Sequence, residues 1–218
     1  MGGGGDRSGV ACAAMGAAPA YIAFEGTEGS GKSTHAARLA SALGAVATRE
    51  TGGTAIGERL RTILHDTAVA DLDDRAEALI IAADRAQHFA RVVLPALAAG
   101  RSLVSDRSAY STLAYQGYGR GLDLDDLRRV NDWAMCGRWP DLVVFLDVDD
   151  DVAAARLAAR QLDRFEQEGA DFHRRVVDGF HALADADPHR WIVVRPAGTT
   201  NDVAAAIRAE VEGRVVRR

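Results

Sequence analysis

Gly26-Thr27-Glu28-Gly29-Ser30-Gly31-Lys32-Ser33 is the stretch on which the reading of this chain turns. Its spacing is G-x-x-x-x-G-K-[ST], a phosphate-binding P-loop: backbone N–H groups wrap a nucleotide's phosphates and the lysine reaches the β- and γ-phosphates. Lys32 is the one lysine among the 26 Lys and Arg residues. Every other cationic position is served by arginine. Here a compact ammonium on a flexible stem is kept, because a planar guanidinium fork does not fit that space. The flanks agree. Tyr21-Ile22-Ala23-Phe24 is a short apolar run that predicts a strand before the loop. After it, Ala36, Leu39, Ala40 and Leu43 recur at helical spacing, with Gly44 as a stop. The expected ATP-binding set is Gly26, Gly29, Ser30, Gly31, Lys32, Ser33 and Thr34, with Lys32 also acting in catalysis.

Similar apolar, β-branched runs recur at 45–48, 102–105, 142–146 and 191–194. Helical patterns alternate with them at 33–43, 54–64, 75–99, 125–136, 150–160, 171–185 and 200–211, with Pro95 expected to bend the third near its end. Continuous apolar strands alternating with helices predict an α/β fold, a central parallel sheet of about five strands covered on both faces. In such sheets ligand groups gather at the carboxyl ends of the strands. Each strand here ends on polar chemistry: Glu25 and the P-loop, Arg49-Glu50, Asp106-Arg107, Asp147.

Composition sets the remaining bounds. At 218 residues and 48% hydrophobic, the chain is expected to form one domain over 21–213. A net charge of -5 argues against a general nucleic-acid binder, so the arginines are expected to act in local clusters. Cys12 and Cys136 show no metal-ligand spacing and no disulfide framework, which fits a reduced, cytoplasmic setting. No apolar run approaches the length of a membrane span. Residues 1–20, glycine-rich at the start, are expected to be a disordered tail, with Met15 an alternative start.

Four further segments carry candidate chemistry. In Arg49-Glu50-Thr51-Gly52-Gly53-Thr54 the glycines allow close backbone approach, and Arg49 reads either as a phosphate ligand or as a solvated turn residue. Asp106 at a strand end suits orientation of a Mg2+ shell, and Arg107 beside it suits a bidentate clamp on a second phosphate; the plain alternative is an ion pair. Ser111, Tyr115 and Gln116 offer hydroxyl, flat ring and amide to the edge of a base, or begin an ordinary polar helix. Arg156, Arg160 and Arg164 recur at four-residue spacing, which on one helix gives one face. That face reads either as solvated and salt-bridged, with Asp163 and Glu166 as partners, or as a mobile lid bringing arginine to a transferring phosphoryl group.

Together these pieces resemble the thymidylate kinases, over about 21–211. The resemblance rests on Gly26–Ser33 with Glu28 inside, Arg49–Thr54, Ala82-Ala-Asp-Arg-Ala-Gln87, Asp106-Arg107, Ala114-Tyr-Gln-Gly117 and Leu162-Asp-Arg-Phe-Glu166. It implies a homodimeric enzyme with a central parallel sheet and a helical lid at about 156–170, transferring phosphate from ATP to dTMP with Mg2+. Ser33 would ligate the ion. Glu28 would bond the sugar 3′-hydroxyl, Arg49 and Arg107 would grip the dTMP phosphate, and Arg85, Ser111 and Gln116 would read the thymine edge. Tyr115 would lie where a ribose 2′-hydroxyl would sit. Residues 27–30 are not basic, which is similar to the bacterial pattern in which lid arginines take over. Two departures stand out. Thr51 replaces the proline usual in the second loop. Ile81, one helical turn before Arg85, replaces the phenylalanine that usually stacks on thymine, so some stacking energy is expected to be missing. The competing readings are a nucleoside monophosphate kinase with another base preference, and a nucleotide-binding regulatory protein with little catalysis.

Overall fold

Tyr21–Glu25 (β1) is buried along its whole length. A continuous apolar strand of this kind has to sit inside a sheet covered on both faces. The computed structural model describes residues 18–69, 71–157 and 163–215. Within them β1 is the middle of a five-stranded parallel sheet ordered β2-β3-β1-β4-β5, where β2 is Val46–Arg49, β3 Leu103–Asp106, β4 Leu142–Leu146 and β5 Trp191–Val194. The register sets Phe24 and Arg49 both level with Asp106. The loops after β1, β2 and β3 therefore leave the sheet side by side, stitched by Arg107 N–H to Phe24 O and Glu50 N–H to Asp106 O, each 2.9 Å.

Alternate strand residues face opposite layers. Ile22, Phe24, Val104 and Val144 pack against α1 (Lys32–Leu43) and α9 (Thr200–Val215) through Leu39, Val203 and Ile207. On the other side Val143, Phe145 and Trp191 meet Tyr115, Phe172 and Phe180, the last two from α8 (Ala170–Ala186). Local signals fix the helix ends. Thr54 caps α2 (Ala55–His65) by accepting from Gly57 N–H, and Asp73 caps α3 (Asp74–His88) by accepting from the N–H groups of Arg75 and Ala76. Gly44 ends α1 in the left-handed conformation.

Three expectations need correction. The single helix expected over 75–99 changes form: α3 runs into a π-helical stretch, Phe89–Val93, before α4 (Leu94–Ala98). Pro95 has no N–H to give and its ring would crowd the preceding turn, and the widened turn lies just before it. The stretch read from sequence as base-facing groups or the mere start of a polar helix is helical over 109–119, as α5 (Ala109–Thr112) and a π-helical stretch, Leu113–Gly119. Its glycines depress helix propensity, and burial of Leu113 to Gly117 overrides them. Finally, α7 is Asp150–Leu157, and from Asp163 the chain runs in turns, so Arg156 and Arg164 do not share one helical face. The Asp163 carboxylate accepts from Phe165 N–H and Glu166 N–H, both 3.0 Å, which starts a turn there. Arg160, Leu162, Cys12, Met15 and tail residues 1–17 lie outside the described residues. α6 is Leu124–Ala134.

Candidate active site

The P-loop bends where the sequence expects it to. Gly26 has φ 143, and a Cβ there would stand 2.8 Å from Leu146 O. Gly29 has φ 75, and a Cβ there would stand 2.7 Å from Ala153 O of α7. Both conformations and both approaches need glycine. Lys32 is buried, its Nζ 2.6 Å from Thr27 O and 3.3 Å from Ser30 Oγ. The ammonium thus lies folded back along the loop it serves. Ser33 Oγ is 2.5 Å from Asp106 Oδ2, and Asp106 Oδ1 is buried with no hydrogen-bond partner among the described residues.

Burial first, then the nearby Arg107 charge, bring the Lys32 ammonium down to about 8, against Glu28, Asp106 and Glu25, which favour the charged form. Since the folded value is below the unfolded one, the cost of burying the charge is present below about pH 8 and is relieved as pH rises toward the ordinary lysine range. Activity runs the opposite way. The kcat/KM for the nucleotide, which reports the free protein, should fall as pH rises through about 8, while kcat should hold to higher pH because bound phosphates favour the ammonium. A kcat/KM profile flat from about pH 7 to about 10 would contradict this.

A cavity of ≈ 420 Å³ opens beside the P-loop. Arg49, Arg61 and Arg107 line it from three elements: the end of β2, α2, and the turn after β3. Arg107 adopts φ 73 and ion-pairs with Glu28 across the site; its Nη1 donates to Ser111 Oγ at 3.0 Å, its Nη2 to Tyr115 OH at 3.3 Å, and it lies over the Tyr115 ring at 5.1 Å. Burial would raise Glu28, but Arg107 and then Lys32 hold its carboxyl down at about 2. Arg49 ion-pairs with Glu58 of α2, and both are half exposed. Arg61 donates to Thr51 O at 3.3 Å; burial and the charges of Arg49 and Arg107 lower its pKa. Three guanidinium groups held this close are arranged for an anion.

The residues expected at the base occupy the deeper wall. Ile81, 8% exposed, lines the cavity and also packs into the core cluster. Gln116 is fixed by an Nε2 bond to Glu77 Oε1 at 2.8 Å. Arg85 is buried, and most of its donors are committed inside the protein: Nε to Glu50 Oε2 at 2.7 Å, Nη1 to Asn131 and to Thr112 Oγ1, Nη2 to Ser108 O. One N–H remains for a ligand.

Two residues outside the expected set shape the site. Arg61 followed no motif. Glu25 is fully buried and accepts from Ser108 Oγ, Ser111 N–H and Ser111 Oγ, the last at 2.5 Å, which fixes the helix start behind Arg107. Of the lid arginines, Arg156 Nη1 donates to Gly29 O at 2.9 Å and so reaches the P-loop. Arg164 does not: it ion-pairs with Glu77 at 2.5 Å and donates to Leu64 O at 2.9 Å, and neither arginine lines the cavity. In this arrangement Arg164 anchors the 163–168 turn.

A sequence model of the family described as thymidylate kinase matches residues 24–207. Thymidylate kinase of Solidesulfovibrio magneticus is 46% identical over 200 residues, covering 86% of this chain and 96% of that one. Thymidylate kinase of Synechococcus sp. (strain JA-2-3B'a(2-13)) is 47% identical over 201 residues, covering 89% and 95%. The crystal structure of thymidylate kinase from Ehrlichia chaffeensis superposes with a TM-score of 0.74 at 32% identity, covering 88% of this chain and 98% of that one.

Proposed function

The chain belongs to the thymidylate kinase family, and from that premise we propose how its cavity divides the work. The reaction is phosphorylation of dTMP to dTDP with ATP as donor. The observation that carries the division is the three-arginine cluster beside a P-loop: a P-loop protein that only senses a nucleotide has no need of a second anion clamp. Gly26 to Thr34 hold the ATP phosphates. Arg49 and Arg107, joined by Arg61, hold the dTMP phosphate, and Glu28 takes the sugar 3′-hydroxyl. Ser111, Gln116 and the remaining N–H of Arg85 meet the base edge, with Ile81 packed against its face and Tyr115 below the sugar. A phosphate monoester is already ionised above about pH 6, so no strong general base is required. The protein's contribution is to align an acceptor oxygen with the γ-phosphoryl and to set cations where charge spreads.

The donor set at Ser33 and Asp106 fits a hard cation: a hydroxyl against a carboxylate oxygen, with the other carboxylate oxygen buried and without a partner among the described residues. Ser33 would ligate Mg2+ and Asp106 would orient its shell. When bound, the ion supplies charge neutralisation between the β- and γ-phosphates. The same reading takes 21–213 as one domain with its lid near 156–170, in a cytoplasmic homodimer. Large apolar side chains left exposed on packed neighbours, Leu79 of α3 and Trp133 of α6, support the dimer. Among the described residues no helix is long and apolar enough to cross a membrane.

Arg156 and Arg164 provide the test. Arg156→Ala should lower kcat about ten- to hundredfold, ~1.4–2.7 kcal/mol of barrier, with the dTMP KM within about twofold. Arg164→Ala should instead lower the melting temperature and leave kcat within about threefold. Equal kcat losses at unchanged melting temperature would place both on the transition state and overturn the division. Diphosphate formation from a panel of nucleoside monophosphates with Mg-ATP would show how Ile81 weights the base.

A further inference from the structure

We propose that Asp84 and His88 are positioning residues: from α3 they hold the loop at 49–53 in the shape that grips the acceptor phosphate. The inference rests on the assignment of Arg49, Arg61 and Arg107 to that phosphate. Asp84 and His88 are one helical turn apart and face the same way. Neither lines the cavity, so neither touches a substrate there.

Both are fully buried, and each bonds the loop at a different point. Asp84 Oδ1 accepts from Gly52 N–H at 3.1 Å. His88 Nδ1 stands 2.9 Å from Glu50 Oε1, and His88 Nε2 is 2.6 Å from Thr48 Oγ1 at the end of β2. Burial would raise the Glu50 carboxyl, yet Arg85 and His88 hold it below its ordinary value. A carboxylate only accepts, so the hydrogen in its bond to His88 belongs to Nδ1. The other oxygen of Glu50 takes Arg85, which borders the cavity. The loop is therefore clasped at 48, 50 and 52, on either side of Arg49 and of Thr51, whose carbonyl receives Arg61.

The packing leaves no slack. A Cβ on Gly53 would stand 2.7 Å from the His88 ring, and a Cβ on Gly57, in the first turn of α2, would collide with the Asp84 carboxylate. Asp84 Oδ2 is buried with no partner among the described residues. An apolar side chain at 84 would avoid that penalty but could not accept the Gly52 N–H. What Asp84 adds is the placement of the loop.

The experiment compares His88→Leu with His88→Asn, whose amide nitrogen can take the place of Nδ1, and Asp84→Ala with Asp84→Asn, whose amide oxygen can still accept from Gly52. The readouts are the KM values for dTMP and for ATP, with melting temperature. We expect His88→Leu and Asp84→Ala to raise the dTMP KM about tenfold with the ATP KM within about twofold, and the asparagine variants to recover most of the loss. Should the leucine variant not fold, the Asp84 pair decides. A dTMP KM that does not move while melting temperature falls would make these residues mere supports of the fold and overturn the inference. A parallel rise in both KM values would do the same. A wild-type protein without dTMP kinase activity would instead undermine the functional assignment itself.

Discussion

Lys32→Arg should reduce kcat on the order of a thousandfold, ~4 kcal/mol of barrier, in a protein that still folds. The ammonium sits buried within the loop, bonded to Thr27 O and Ser30 Oγ. A guanidinium is larger, planar and unable to follow the loop's inner curve. Its charge would be retained at the wrong distance from the transferring group. Stability should change little, since the native lysine is itself an unfavourably buried charge. Steady-state kinetics beside a melting curve checks both halves. Activity within about tenfold of the wild type would sink the claim.

The largest stability effect should come from Arg85→Ala, at about 3–5 kcal/mol. Arg85 and Glu50 are among the most deeply buried charged side chains, at 2% and 1% side-chain exposure. Removing one leaves the other's charge buried with half its partners gone, and it strips Thr112, Asn131 and the Ser108 carbonyl of a donor as well. For a chain of this size that corresponds to roughly 6–20 °C in melting temperature. Denaturant titration gives the free energy directly. A loss under about 1 kcal/mol would show that the network rearranges around the gap and that Arg85 matters chiefly to the base.

Chemistry carried by consecutive residues is legible in the sequence itself. The P-loop is a local backbone shape, so its glycines, Lys32 and Ser33 declare themselves in order. Strand-end polar residues such as Arg49, Asp106 and Arg107 follow from the rule that parallel sheets gather ligands at one edge. Convergence through space is not legible in that way. Arg61 reaches the cavity because α2 packs against α3, and nothing in its neighbours marks it out among so many arginines. Glu25 ends a strand in plain view, but its three donors arrive from residues 108 and 111. The spacing of Arg156, Arg160 and Arg164 misleads for another reason. Four-residue spacing means one face only while the helix continues, and the Asp163 side chain turns the chain with bonds that compete with helix.

The two carboxylates that meet Arg107 and Arg49 give the site one more property. Glu28 and Glu58 already pair with the guanidinium groups of Arg107 and Arg49, so on the proposed assignment capture of dTMP would be an exchange of partners and not the filling of a bare positive hole. Each exchange breaks an ion pair. A small anion that enters alone recovers only what it displaces. A nucleotide would recover more, because the Glu28 carboxylate released from Arg107 would find the sugar hydroxyl proposed for it on the same molecule. On that assignment the pocket would weigh phosphate and sugar jointly: only the intact monophosphate would both engage the arginines and give the displaced Glu28 a new partner.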